Sequence, residues 1–256
     1  MNEVEEFQGG TRVVRRHGDV VVRPPAPASH AVHRLLRHLH DNGFVGAPEP
    51  LGFDGEGNEL LTFVRGAVPD SLTPELRTTE LLESAARLLR QMHDASRGFV
   101  PRPEDSWWLP TRDPVEVMCH GDAAQYNCVV RDGRVVAFID FDAAHPGPRS
   151  WDVAYSVYRF APLQAPSNVE SFGSPAEQGR RVALFARAYD KDAGPEILDV
   201  VPERLAALVD FMRARAAEGV EAFQQHIREG HVELYETDIE YIRAHRDTLR
   251  RAFDEV

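Results

Sequence analysis

An Asp-Gly pair set between two apolar runs constrains this chain more tightly than any other feature. Asp132-Gly133 lies inside Met118–Asp142, MCHGDAAQYNCVVRDGRVVAFIDFD. A two-residue hairpin loop of type I′ needs positive φ at both central residues, which Asp and Gly tolerate well. Such a loop sets a register: Arg131 faces Arg134, Val130 faces Val135 and Asn127 faces Phe138. Side chains alternate along a strand with period two. Phe138 and Asp140 therefore share a face, and Asn127 points to the same side. The amide and the carboxylate become diagonal neighbours at the open end of the hairpin, roughly 7–8 Å apart at Cα. A metal ion held between their oxygens suits that gap. Asp122 lies just upstream, on the loop that enters the hairpin, and Asp142 lies just downstream.

The rest of the composition narrows the setting. A chain of 256 residues has ample core for one large domain or two small ones. It holds no apolar run of about 18 residues, so no transmembrane helix is expected. Its first residues, MNEVEEFQGG, are acidic and lack the apolar stretch of a secretory signal. Cys119 and Cys128 make neither a disulfide framework nor a zinc pattern, and a reduced cytoplasmic setting is expected. The net charge of −12 argues against general nucleic-acid binding. Residues 1–66 carry 7 arginines against 9 acidic residues, so most of the excess acid falls later in the chain. An acidic second part can attract a cationic small molecule, although such charge is commonly only a solvated face.

Residues 7–23 read as three short strands joined by turns at Gly9-Gly10 and His17-Gly18-Asp19, and Pro24, Pro25 and Pro27 stop the third. Ser29 is placed to cap a helix over His30–Asn42, with Val32, Leu35, Leu36 and Leu39 as its apolar stripe and Gly43 at its end. A second hairpin, Pro50–Phe53 and Glu59–Arg65 about an Asp54–Asn58 turn, completes an antiparallel sheet carrying one helix. Gly66–Pro74 reads as a connector. Beyond it the pattern is helical, from a Thr73-Pro74 start to His93, then over Pro175–Asp190, Pro202–Glu229 and Val232–Phe253. The fold class is thus α+β. The domains expected are 1–66 and 67–256.

The spacing His120-x-Asp122-x-x-x-x-Asn127 is the catalytic-loop pattern of phosphoryl-transfer enzymes. The residue types follow from the chemistry. A carboxylate positions an acceptor hydroxyl and takes its proton. Mg²⁺ that accompanies nucleotide phosphates prefers oxygen ligands such as those of Asn and Asp.

With Ile139-Asp140-Phe141-Asp142, Pro146 and Trp151-Asp152-Val153-Ala154 added, the chain resembles the aminoglycoside phosphotransferase and choline kinase group over nearly its whole length. The resemblance implies a protein-kinase-like bilobal fold, with a nucleotide-binding lobe over 1–66 and a catalytic, acceptor-binding lobe over 67–256. It implies ATP and Mg²⁺ as cofactors and a small-molecule hydroxyl as acceptor. By position, Asp122 resembles the catalytic base, and Asn127 and Asp140 the Mg²⁺ ligands. Asp142 sits where some members have a second acidic residue. Gly9 and Gly10 match the turn over the ATP phosphates. Phe63, Val64 and Arg65 match the hinge whose backbone meets adenine. His120, by contrast, reads as a packed histidine bracing the loop, and Trp151 and Asp152 as anchors of the catalytic segment.

The chain also departs from that group. Its only lysine, Lys191, is far from the third strand, where a phosphate-binding lysine is usual. Arg23 stands at the end of that strand and can bind phosphates bidentately. The glutamate expected on the following helix is missing, and His33 holds the corresponding place. The pattern HGDFxPxN is altered, with Ala123 and Gln125 replacing Phe and Pro. Three functions follow from these residues. One is a small-molecule kinase whose acceptor, if cationic, meets acidic residues such as Glu218, Glu221, Asp238 or Glu240. The others are a catalytically impaired pseudokinase acting as a binding or immunity module, and a metal-dependent phosphohydrolase.

Overall fold

The computed structural model describes residues 4–9 and 12–256. They form two compact units: Met1–Asp70 with Leu88–Asp152, and Ser71–Arg87 with Val153–Val256. The chain passes between them three times, at Asp70–Ser71 and within two helices, α2 (Thr79–Ala95) and α3 (Arg149–Phe160).

The first unit begins with five antiparallel strands in the order β1-β2-β3-β5-β4: β1 (Val4–Gly9), β2 (Arg12–His17), β3 (Val20–Arg23), β4 (Pro50–Phe53) and β5 (Glu59–Thr62). Gly10 of the expected first turn lies outside the described residues. Gly18 takes φ +62 between β2 and β3, a left-handed conformation that costs glycine little. The β4–β5 turn is organised by Asp54, whose carboxylate accepts the N–H groups of Glu56 and Asn58.

Between β3 and β4 runs α1 (Ser29–Asp41), whose predicted stripe of Val32, Leu35, Leu36 and Leu39 is buried. Each such side chain contributes roughly 1.5–3 kcal/mol. Ser29 is the first residue of α1 rather than its cap; its Oγ accepts from the N–H of Ala26. The helix packs on β4 and on a 3₁₀ turn at Phe141–Ala143. The unit is completed by β6 (Val117–Cys119), β7 (Cys128–Arg131), β8 (Arg134–Phe138) and β9 (His145–Gly147), where β7 pairs with β8 and β6 with β9. The N–H of Phe138 donates to the carbonyl of Gly46, just after α1, which ties the β7–β8 hairpin to the N-terminal segment.

The second unit is helical: α4 (Pro175–Tyr189), α5 (Ile197–Ala217), α6 (Glu221–Arg228), α7 (His231–Ala244) and α8 (Arg246–Asp254). The expected long helix over 202–229 is two helices, because Gly219 at φ +86 breaks it. The segment expected after Thr73 opens as a 3₁₀ turn, Pro74–Leu76, and α2 starts only at Thr79. A polar node holds the loop that precedes α4. Buried Asp238 accepts from the Tyr158 hydroxyl, the Ala165 N–H and the Asn168 amide. Burial pushes the Asp238 carboxyl up, and those hydrogen bonds oppose it. Asp238 is therefore a structural residue and not the acceptor contact expected, whereas Glu218, Glu221 and Glu240 are exposed. No helix among the described residues is long and apolar enough to cross a membrane.

Candidate active site

The hairpin turn is as expected, with Asp132 at φ 50 and Gly133 at φ 73. Arg131 faces Arg134 and Val130 faces Val135. Further from the turn the register slips. Val129 faces Ala137 and Cys128 faces Phe138, so Val136 is an extra residue on β8. This β-bulge corrects the expected pairing of Asn127 with Phe138. Asn127 instead ends a 3₁₀ turn, Gln125–Asn127, and its carbonyl accepts the N–H of Ile139 at 2.8 Å. It therefore still lies beside the segment that carries Asp140.

The loop before β7 is clamped from behind by Asp152 in α3. Its carboxylate accepts the N–H groups of His120 at 2.7 Å and Gly121 at 2.8 Å, and lies 3.0 Å from His93 Nε2. Burial would favour the protonated acid, but the hydrogen bond and charge of His93, the charge of His120 and the Gly121 N–H outweigh it. The Asp152 carboxyl is held well below the usual carboxylate range. Gly121 has φ +82, and a Cβ there would collide with the backbone oxygen of Ala143. Only glycine lets the loop approach the 141–143 turn so closely. His120 is fully buried, with Nε2 3.0 Å from the carbonyl of Ile139 and its ring against Phe138 and Phe141. It braces the loop.

Asp122 is thereby presented half-buried at the loop's outer side. Its Oδ1 accepts the Tyr126 hydroxyl at 2.6 Å, and its Oδ2 accepts the Asn127 amide at 2.8 Å. Asn127 spends its amide nitrogen on Asp122, which leaves the amide oxygen as its acceptor end. Tyr126 is not among the residues that the sequence singles out; its place directly before Asn127 in the loop pattern is the one signal by which it could be found.

Asp140 and Asp142 meet Arg23. Asp140 takes φ 59 and ψ 67, a left-handed conformation that costs a non-glycine residue of order 1–3 kcal/mol and concentrates at functional sites. Its side chain is 49% exposed, against 16% for Asp142. Arg23 Nη1 lies 3.1 Å from Asp140 and Nη2 2.7 Å from Asp142. Behind them Arg23 Nε donates to Glu59 at 2.5 Å.

Glu59 is fully buried, and His33 Nε2 of α1 stands 3.0 Å from its other oxygen, with the imidazole stacked on Phe53. Burial disfavours the charged form at both ends of the Arg23–Glu59 pair. His33 and Arg23 nevertheless hold the Glu59 carboxyl below its ordinary value, and Glu59 and Asp140 hold the guanidinium above its own. Glu59 was missed in the sequence because the β3–β5 pairing spans α1 and β4.

The Asp140, Asp142 and Asn127 donors are all oxygen, which suits Mg²⁺. A site with one or two carboxylates is the arrangement for a metal that shares its shell with phosphates. Among the described residues there is no cluster of three or more His, Cys, Asp or Glu that forms a metal cage by itself. Phe63, Val64 and Arg65 follow β5 directly. The Phe63 N–H is committed to the carbonyl of Asp19, Arg16 lies over its ring at 3.9 Å, and Arg65 pairs with Asp19. Gly9 closes β1. A surface depression of about 440 Å³ beside Arg34, Arg37, Phe99 and Arg102 includes none of these residues.

A curated relative, the trifolitoxin immunity protein of Rhizobium leguminosarum bv. trifolii, is 33% identical over 190 residues, 71% of each chain. A choline/ethanolamine kinase family protein from Mesorhizobium loti superposes with a TM-score of 0.60 at 17% identity, covering 95% of this chain and 93% of its own. An amicoumacin kinase solved in complex with AMP-PNP, Ca²⁺ and Ami gives a TM-score of 0.63 at 14% identity, covering 88% of each chain. The fold is that of the protein-kinase-like phosphotransferases. The profile of one family matches residues 3–114 and 102–195, well over half of the sequence, and includes the hairpin with Asp122, Asn127 and Asp140. The chain belongs to the phosphotransferase enzyme family.

Proposed function

We propose that this chain is a cytoplasmic small-molecule kinase that moves the γ-phosphoryl group of ATP to a hydroxyl. The observation that carries the reading is the convergence, within one compact unit, of a half-buried carboxylate at Asp122 and an arginine-linked pair of carboxylates at Asp140 and Asp142. Asp122 orients the acceptor hydroxyl and takes its proton as the oxygen bonds to the γ-phosphorus and the bond to the bridging oxygen breaks, with ADP as leaving group. General-base assistance of this kind contributes about 10²–10⁴-fold. Asn127 fixes the Asp122 carboxylate through its amide nitrogen; its amide oxygen, with Asp140 and Asp142, would hold the metal. Mg²⁺ bound there neutralises charge on the phosphate oxygens. Arg23 steadies the α- and β-phosphates. The Gly9-Gly10 turn covers the phosphates, and backbone groups of Val64 and Arg65, beside Phe63, meet the base. In this reading residues 1–66 bind nucleotide and residues 67–256 carry the acceptor, drawn in by exposed acids such as Glu218, Glu221 and Glu240 if it is cationic.

Two observations favour a second reading, a nucleotide- or ligand-binding immunity module with impaired turnover. The curated relative is an immunity protein. Both terminal nitrogens of Arg23 rest on the carboxylates that a metal needs. A screen of hydroxyl-bearing amines, sugars and antibiotics, with ADP release as readout and mass spectrometry of the product, separates the two. A phosphorylated acceptor supports the kinase. Nucleotide-dependent thermal stabilisation without turnover supports the module, and phosphate release without any acceptor points to hydrolysis.

A further inference from the structure

The sheet places Arg23 and Glu59 directly opposite each other across β3 and β5. Glu59 is 0% exposed and Arg23 8% exposed, and the Nε–carboxylate contact is 2.5 Å. Neighbouring antiparallel residues are held about 4.5–5.5 Å apart at Cα by the ladder itself. The backbones of the glutamate and the arginine therefore cannot separate without breaking the sheet. A partner carried on the helix would move with that helix. Here α1 contributes only His33, which stands on the far oxygen of Glu59.

The choice of arginine follows from a count of donors. A guanidinium has five N–H groups and an ammonium has three. Arg23 spends one on Glu59, one on Asp140 and one on Asp142. Two remain, one on each terminal nitrogen, for phosphate oxygens. A lysine meeting the same three carboxylates would have no donor left.

We infer that Glu59 is the positioning residue of the phosphate grip. It fixes the plane of the Arg23 guanidinium from the sheet, so that the grip is assembled independently of α1 and needs arginine rather than lysine. This rests on the nucleotide-binding part of the kinase reading.

The test is calorimetric binding of Mg·ADP and of adenosine to the full chain and to Glu59→Gln, Arg23→Lys and His33→Gln. Glu59→Gln and Arg23→Lys should each weaken Mg·ADP by about tenfold or more, the value of a charge-assisted hydrogen bond. Both should leave adenosine within about twofold, because adenosine has no phosphate to grip. The double variant should lose little more than either single one, as expected for residues acting as a unit. His33→Gln should leave both ligands nearly unchanged. Equal losses for ADP and adenosine would mean that Glu59 only supports the fold, and the inference falls. It falls equally if Glu59→Gln binds Mg·ADP normally, or if His33→Gln loses as much as Glu59→Gln. Should Glu59→Gln not fold, Arg23→Lys decides: normal Mg·ADP affinity overturns the donor argument. Mg·ADP binding with the predicted pattern, but no transfer to any acceptor, would sink the kinase reading and leave this inference standing. A wild-type chain that binds no Mg·ADP overturns both.

Discussion

Replacing Asp152 tests the construction of the catalytic loop, because this one carboxylate holds two of its backbone N–H groups. Asp152→Ala removes the acceptors of His120 N and Gly121 N and the partner of His93 in a fully buried position. Each orphaned buried donor costs about 1–3 kcal/mol. The His93 imidazole loses its partner as well, a third orphaned donor of the same cost. These overlap, so the expected loss is about 3–5 kcal/mol, a large share of a typical total of about 5–15 kcal/mol. Asp152→Asn keeps one carbonyl oxygen and so one of the N–H contacts, and should lose roughly half as much.

The pH dependence has a definite sign. The Asp152 carboxyl is held well below its unfolded value, which is near 3.9. Its stabilisation is complete above about pH 4 and is lost as the pH falls below that toward the folded value. Urea denaturation of wild type, Asp152→Ala and Asp152→Asn between about pH 7 and pH 3 should show gaps that stay constant down to about pH 4 and begin to narrow only at the acid end. A loss below about 1 kcal/mol for Asp152→Ala at neutral pH would refute the argument that this carboxylate builds the loop.

Three further outcomes follow. Gly121→Ala should destabilise by at least about 1–3 kcal/mol, measured by thermal denaturation, because the new Cβ meets Ala143 and the φ of +82 is strained for alanine. Asp140→Ala should make nucleotide binding largely indifferent to Mg²⁺, which titration of ADP with and without the metal will read. Tyr126→Phe removes the hydroxyl now resting on Asp122 Oδ1 at 2.6 Å. ADP release without acceptor should rise, by up to about tenfold, since water gains access to that oxygen.

Much of this was legible in the sequence because it is local. The Asp132-Gly133 turn set its own flanking pairs, and the Val32–Leu39 stripe set α1. The register of Asn127 was not, because one extra residue at Val136 is a bulge that alternation alone does not reveal. The ends of helices were misplaced where polar side chains served other partners, as at Ser29, or where a glycine intervened, as at Gly219. Helix α3 is not legible in the sequence, although Asp152 reads as an anchor, because its polar residues Asp152, Ser156 and Arg159 are buried and mark no solvent face. Non-local partners were the hardest. Arg23 was visible as the only basic residue on the third strand's end, but its partner Glu59 lies 36 residues away, on a strand whose neighbour is fixed only by the finished sheet. Asp238 looked like a surface acid until three hydrogen bonds enclosed it.

The central claim is that Asp122 takes the proton of an acceptor hydroxyl during phosphoryl transfer from ATP. It is tested most directly by following phosphorylated product by mass spectrometry, with Mg·ATP and an acceptor found in the screen, for wild type and Asp122→Asn. Asp122→Asn should lose about 10²–10⁴-fold in turnover while binding Mg·ADP nearly as tightly as wild type. Unchanged turnover in Asp122→Asn would contradict the claim.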